Sequence, residues 1–179
     1  MFLEIISIAV LGFIALVLSV QFFQIALGGY APIIPTKSKV IKRVMKEMSP
    51  KDGCAVYELG CGNAGFLRAA ENKFPNIKKL VGIEYFFLPY LIGKIQVSLR
   101  DSKIKILKKD VLRFNMNEAD IIYCFLNKPM MAKLKEKFKK ECKAGTQIIS
   151  YQFGLPDLEP EKVIDLEGGR KNKIYFYTI

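Results

Sequence analysis

At 179 residues the chain has room for one domain and a short appendage, and 28 Lys and Arg against 17 Asp and Glu give it a net charge of +11. The basic excess favours an acidic surface, whether anionic lipid, nucleic acid or an acidic protein. The chain contains no histidine, which excludes every mechanism that needs an imidazole base; its four cysteines, Cys54, Cys61, Cys124 and Cys142, form no C-x-x-C pair and argue against a zinc site. Three of them lie in or beside apolar runs and read instead as buried reduced thiols of a cytosolic-type compartment.

From Ile5 to Phe23 the sequence IISIAVLGFIALVLSVQFF holds nineteen residues without a charge, close to the ~20 that a membrane-spanning helix requires. A cleaved signal peptide would begin with basic residues, whereas this terminus carries Glu4. Residues 1–27 are therefore expected to be a retained transmembrane anchor. Lys37, Lys39, Lys42, Arg43 and Lys46 follow it, so the positive-inside tendency puts the C-terminal domain in the cytoplasm. The stretch GGYAPIIPT at 28–36 has two glycines and two prolines, cannot continue a helix, and reads as a linker or lid over 28–37.

The domain is expected over 38–179. Val40, Ile41, Val44, Met45 and Met48 mark an amphipathic helix from Ser38 to Met48. A first strand over Cys54–Leu59 runs into Glu58-Leu59-Gly60-Cys61-Gly62-Asn63-Ala64-Gly65-Phe66 and then a helix to Lys73. Glycines at 60, 62 and 65 allow positive φ and close approach of backbone to a ligand, and the helix start offers free N–H groups. This spacing also fits a dinucleotide site, but Glu58 would place a carboxylate where pyrophosphate needs room.

A second strand, Lys79–Tyr85, ends in Glu84, nineteen residues beyond Gly65, the place from which an acid accepts ribose hydroxyls. Its replacement by alanine is expected to weaken cofactor binding at least tenfold and to leave the fold intact. A helical region follows over Phe87–Leu99, its regular part confined by Pro89 to the later residues. Ile104–Lys109 alternates apolar and basic residues as a half-exposed strand and leads to Asp110 and Val111. Leu112–Glu118 is too short for a crossover helix, and Asp120–Leu126 (DIIYCFL) reads as a central strand. A helix over Met130–Cys142, a fifth strand over Thr146–Phe153, a loop at Gly154–Glu161 and strands over Lys162–Leu166 and Ile174–Thr178, joined by Gly168-Gly169, complete the chain.

The glycine turn with its acid resembles the first motif of class I methyltransferases that use S-adenosylmethionine (SAM), and the order of acids after it resembles theirs through residue 179. The segments APIIPT, DIIYCFL and SYQFGLPDLEP are similar to those of a narrower family of membrane-tethered protein-lysine methyltransferases. That family has archaeal members and mitochondrial ones acting on ATP-synthase c-subunit and adenine-nucleotide carriers. Asn63 departs from the acid that many members place in the turn.

The resemblance implies an α/β, Rossmann-like, doubly wound sheet, mostly parallel, with an antiparallel C-terminal edge hairpin. It implies SAM bound by Glu58, Gly60, Cys61, Gly62, Gly65, Glu84, Tyr85, Asp110 and Val111, with Glu84 on the ribose and Asp110 facing the adenine amino group. Asn127, Tyr30 and Phe153 would position the acceptor, and Tyr30, Tyr123 and Phe153 would offer aromatic faces to its ammonium group. No metal is needed. The expected acceptor is a lysine of a protein at the membrane surface; an adenine acceptor is disfavoured, because the place of an (Asn/Asp)-Pro-Pro-aromatic loop reads Leu126-Asn127-Lys128-Pro129. A lipid or small amphiphile as acceptor, and a non-catalytic SAM-binding scaffold, are the alternatives.

Overall fold

The computed structural model describes residues 2–28, 34–167 and 172–179. Two compact units divide the chain, Met1–Pro32 and Ile33–Ile179. The first is helix α1, Phe2–Gly28, with side chains described at residues 2–17, 19, 20 and 22. Phe2, Leu3, Ile8, Leu11, Phe13 and Leu16 are exposed on it. Among the described residues no helix is long and apolar enough to cross a membrane, so the span expected over Ile5–Phe23 is not shown.

The second unit holds α2 (Ser38–Glu47), β1 (Ala55–Leu59), α3 (Gly65–Lys73), β2 (Lys79–Glu84), α4 (Phe87–Ser98), β3 (Lys105–Lys108), β4 (Ile121–Cys124), α5 (Lys128–Glu141), β5 (Gln147–Tyr151), β6 (Lys162–Asp165) and β7 (Lys173–Thr178). Its seven strands form one sheet in the order β3-β2-β1-β4-β5-β7-β6. The first five pair in parallel, and β7 runs antiparallel to both β5 and β6. The C-terminal hairpin is present, but β7 inserts beside β5 and leaves β6 at the edge. Composition favours that order: β7 buries Ile174, Phe176 and Tyr177, whereas β6 buries Ile164 alone and exposes Lys162 and Asp165.

On one face of the sheet Val40, Val44 and Met45 of α2 join Phe66, Leu67 and Ala70 of α3 in a core that includes Val56, Tyr123, Ile149 and Phe176 from the strands. On the other, α5 buries Met131, Leu134 and Phe138; the Met131 sulfur lies 3.7 Å from Cys124 Sγ and 3.8 Å from Ser150 Oγ. The segment between β3 and β4 contains no helix, as its length predicts. Pro89, by contrast, does not delay α4. It lies in the first turn, where the missing N–H has no intrahelical acceptor to lose.

Candidate active site

The site is built where five parallel strands end. Gly60 N and Cys61 N both donate to the Ile83 carbonyl of β2, at 2.8 and 3.1 Å, so the turn after β1 is tied to the end of its neighbour. Gly60 and Gly62 take φ of +69° and +51°, a region costly for other residues, and a Cβ built on Gly62 would meet no atom within 4 Å. The backbone therefore presents an open face at this point. Behind it the packing is tight: a Cβ on Gly93 of α4 would stand 2.5 Å from the Gly62 carbonyl oxygen. No motif in the sequence singles out Gly93, yet it sets how closely α4 approaches the turn.

Glu84 holds the turn from the second strand. Its Oε2 accepts from Gly62 N at 2.9 Å and its Oε1 from Phe86 N at 2.9 Å, so one carboxylate clamps the loops after β1 and β2 together. Its replacement is therefore expected to cost stability as well as ligand binding. Burial raises its pKa, against the lowering effect of those two donors. The Tyr85 amide is a third donor to it, and of about four lone-pair sites one is left for a further donor.

Glu58 lies one strand further in. Register places it between Gly82 of β2 and Tyr123 of β4 in a row across the sheet, beneath the start of α3. Its Oε2 accepts from Leu67 N at 3.2 Å, a donor of the first turn of α3 that has no intrahelical partner. Burial pushes its carboxyl up to about 8, outweighing the Leu67 and Phe66 amides and the more distant Arg68. Cys61 turns inward as well: its sulfur fills the space over Gly82, where a Cβ would come within 2.6 Å, and burial raises its thiol pKa. Cys61 thus faces a ligand through its backbone only.

At the end of β3, Lys109 N donates to the Glu84 carbonyl at 3.1 Å, bringing Asp110 beside the other two loops. Asp110 is half-buried, and its Oδ1 accepts from Leu112 N at 2.9 Å; Val111 is buried next to it. Tyr85 is half-buried and packs edge-on against Phe86, with ring centroids 5.5 Å apart. Gly65 opens α3 and is half-buried.

On the acceptor side the structure gives three of the expected residues contacts of their own. Asn127 follows β4 at the rim, but its Oδ1 caps α5 by accepting from Met130 N at 3.1 Å. Tyr123 is 1% exposed and stacks on Phe66, with centroids 4.1 Å apart. It is core, and offers no face to an acceptor, because its position on β4 points under α2 and α3. Its hydroxyl instead meets Thr36 Oγ1 at 3.2 Å and pins the segment that leads into α2. Tyr30 lies outside the described residues, as does the turn at Gly168-Gly169.

Phe153 is half-buried after β5, in a loop held from three directions. Ser150 Oγ donates to its carbonyl at 2.6 Å, Leu155 N donates to Tyr177 Oη at 2.9 Å, and Gln152 takes a left-handed φ of 73°. A non-glycine residue held there marks a backbone position that the surroundings impose. Ser150, Gln152 and Tyr177 carry no sequence signal of this role.

The strand order, with a glycine turn after β1 and acids ending β2 and following β3, is matched by relatives of known name. A family profile described as "ANTKMT methyltransferase domain" matches residues 58–162. The chain belongs to the ANTKMT methyltransferase family. A protein of Saccharolobus islandicus named protein-lysine N-methyltransferase is 30% identical over 153 residues, covering 84% of this chain and 94% of its own. The mouse adenine nucleotide translocase lysine N-methyltransferase is 21% identical over 92% of this chain and 70% of its own. Among solved structures, an RNA methyltransferase from Salinibacter ruber in complex with S-adenosylhomocysteine superposes with a TM-score of 0.72 at 22% identity. It covers 82% of this chain and 94% of that one. The B. subtilis m1A22 tRNA methyltransferase TrmK gives 0.63 at 17%, over 79% and 65%; these two likenesses establish the fold.

This ANTKMT-family member is a class I methyltransferase whose cofactor is SAM. Its residues fit that ligand: an open backbone face at Gly62, a strand-end carboxylate with acceptor capacity left at Glu84, and a further acid at Asp110.

Proposed function

We propose that the protein methylates the side-chain amine of a lysine on a membrane-associated protein. The observation that carries the reading is the 30% identity to a named protein-lysine N-methyltransferase across 94% of that protein. The mouse relative, also named for lysine, supports it at lower identity.

Roles for the chain's own residues follow from their positions. Glu84 accepts from the ribose with the acceptor capacity that its amide donors leave, while the turn from Gly60 to Gly62 and the start of α3 at Gly65 hold the amino-acid end. Glu58 keeps that helix start in place; Tyr85, Asp110 and Val111 border the base. SAM supplies a methyl group on a sulfonium. The amine must arrive neutral, forming its N–C bond as the S–C bond breaks and then losing a proton to solvent. Catalysis by this chain is therefore chiefly placement of the amine in line, by the rim at Asn127 and Phe153.

For the site of action, the uncharged stretch Ile5–Phe23 supports a single-pass anchor, and the cations from Lys37 to Lys46 support a cytoplasmic domain. Seven residues lie between Gly28 and Thr36, a linker short enough to favour an acceptor near the bilayer surface.

The test is incubation of the full chain with methyl-labelled SAM and a membrane fraction, followed by peptide mass spectrometry. Methyl-lysine on membrane proteins is the expected result. Label confined to lipid, nucleic acid or soluble protein, or no transfer at all, refutes it.

A further inference from the structure

The outer side of α4 is apolar and uncovered. Phe87 (53%), Leu91 (38%), Ile92 (51%), Ile95 (50%) and Leu99 (81%) are exposed along it. At 100° per residue they fall within an arc of about 140°, opposite the buried Pro89, Gly93 and Val97. Single exposed apolar side chains are ordinary, but a contiguous stripe of four on one short helix with a fifth at its C-cap marks a contact surface.

The charges around the stripe indicate what covers it. Within α4 the one charged residue is Lys94, and Arg100 follows the helix, exposed. The same layer of helices carries α2: Arg68 of α3 donates to Gln96 of α4 at 2.6 Å, and Ile41 of α2 reaches Gly65 of α3. On the outer side of α2, Lys39, Lys42 and Lys46 are exposed, at helical spacings of three and four. An apolar stripe and a basic one in the same helical layer, with α3 between them, is the composition of a surface that lies in a lipid interface, with apolar side chains among the acyl chains and cations among anionic headgroups. A soluble protein partner would not require the second stripe.

We propose that this helical layer docks on an anionic bilayer surface, with the α4 stripe inserted and the α2 lysines on lipid phosphates. The proposal rests on the membrane reading above and adds an orientation to it. The strand ends then open along the bilayer plane, and a lysine on a short membrane-proximal loop becomes the accessible acceptor.

The experiment uses the full chain with Cys142→Ser, since Cys54, Cys61 and Cys124 are buried. A polarity-sensitive fluorophore is attached at Ile95→Cys or, as control, at Lys139→Cys on the exposed side of α5, and the protein is mixed with phosphatidylserine-containing or neutral vesicles. Flotation with the vesicles reads the anchor, and the fluorophore reads the docking. Expected are flotation on both, with a blue shift and quenching by nitroxide-labelled acyl chains at position 95 alone, larger on anionic vesicles and reduced by Lys42→Glu with Lys46→Glu. Flotation with position 95 still in water refutes the docking and leaves the anchor. Failure to float on either refutes both readings. A blue shift that appears without lipid and grows with protein concentration makes the stripe a self-association surface, and overturns the proposal.

Discussion

Replacing Glu84 separates its two duties. In Glu84→Ala the amides of Gly62 and Phe86 lose acceptors at 2.9 Å each. Hydrogen bonds to a charged partner are worth ~1.5–3 kcal/mol apiece. Two offsets reduce the sum: Gly62 is only half-buried, so water takes over part of its bond, and the mutation removes a carboxyl that burial penalises. A net loss of about 2–4 kcal/mol is expected, a large share of the ~5–15 kcal/mol that holds a domain together. Glu84→Gln keeps one amide-accepting oxygen and presents an NH2 to the other donor; it should lose about 1–3 kcal/mol and stay folded. Tryptophan is absent and seven of the eight tyrosines lie in the second unit, so tyrosine fluorescence in a urea titration reports chiefly the catalytic unit. Calorimetry on the folded Gln variant then isolates the ligand term, with SAM affinity expected to fall at least tenfold. An unchanged urea midpoint in Glu84→Ala would refute the clamp between the two loops. Undiminished affinity in Glu84→Gln would refute the ribose assignment.

Other expectations follow from neighbouring residues. Glu58 titrates near 8 in the fold against 4.5 in a model peptide, so the folded state holds the extra proton between those values and stability declines as pH rises through that window, by up to ~1.4 kcal/mol per unit. Urea midpoints from pH 5 to 8 should show the decline; Glu58→Gln should flatten it, and a slope unchanged in that variant would count against the burial of this carboxyl. Gly93→Ala must push α4 off the Gly62 carbonyl, costing ~1–3 kcal/mol and weakening SAM binding by calorimetry. Gly65→Ala, whose Cβ would meet Asn63 at an ordinary 3.4 Å, should leave the urea midpoint near that of the parent. Asn127→Ala should lose ~1 kcal/mol through the α5 cap, and Asn127→Asp should restore the midpoint; recovery of methyl transfer by the Asp variant would reduce Asn127 to a structural cap.

The order of strands and helices, and the two motifs that place a cofactor, were legible in the sequence because they depend on local rules. Glycine spacing constrains φ within a few residues, an apolar run of the DIIYCFL kind specifies a buried strand, and the distance from Gly65 to Glu84 measures one crossover. What the sequence could not decide is where a side chain points once neighbouring elements compete for it. Tyr123 is equally an aromatic near a strand end in either reading; only the register beside Glu58 and the stack on Phe66 make it core. Asn127 became a helix cap because α5 starts two residues earlier than its apolar pattern suggests, and Pro89 was absorbed because it falls in a first turn. Glu84 gained a second duty through a bond to Gly62, twenty-two residues away in the chain. Strand order at the C-terminal edge was likewise settled by which hairpin arm had more apolar surface to bury. Such choices belong to the tertiary structure because burial and hydrogen-bond satisfaction are properties of whole neighbourhoods, and a linear pattern contains only one member of each.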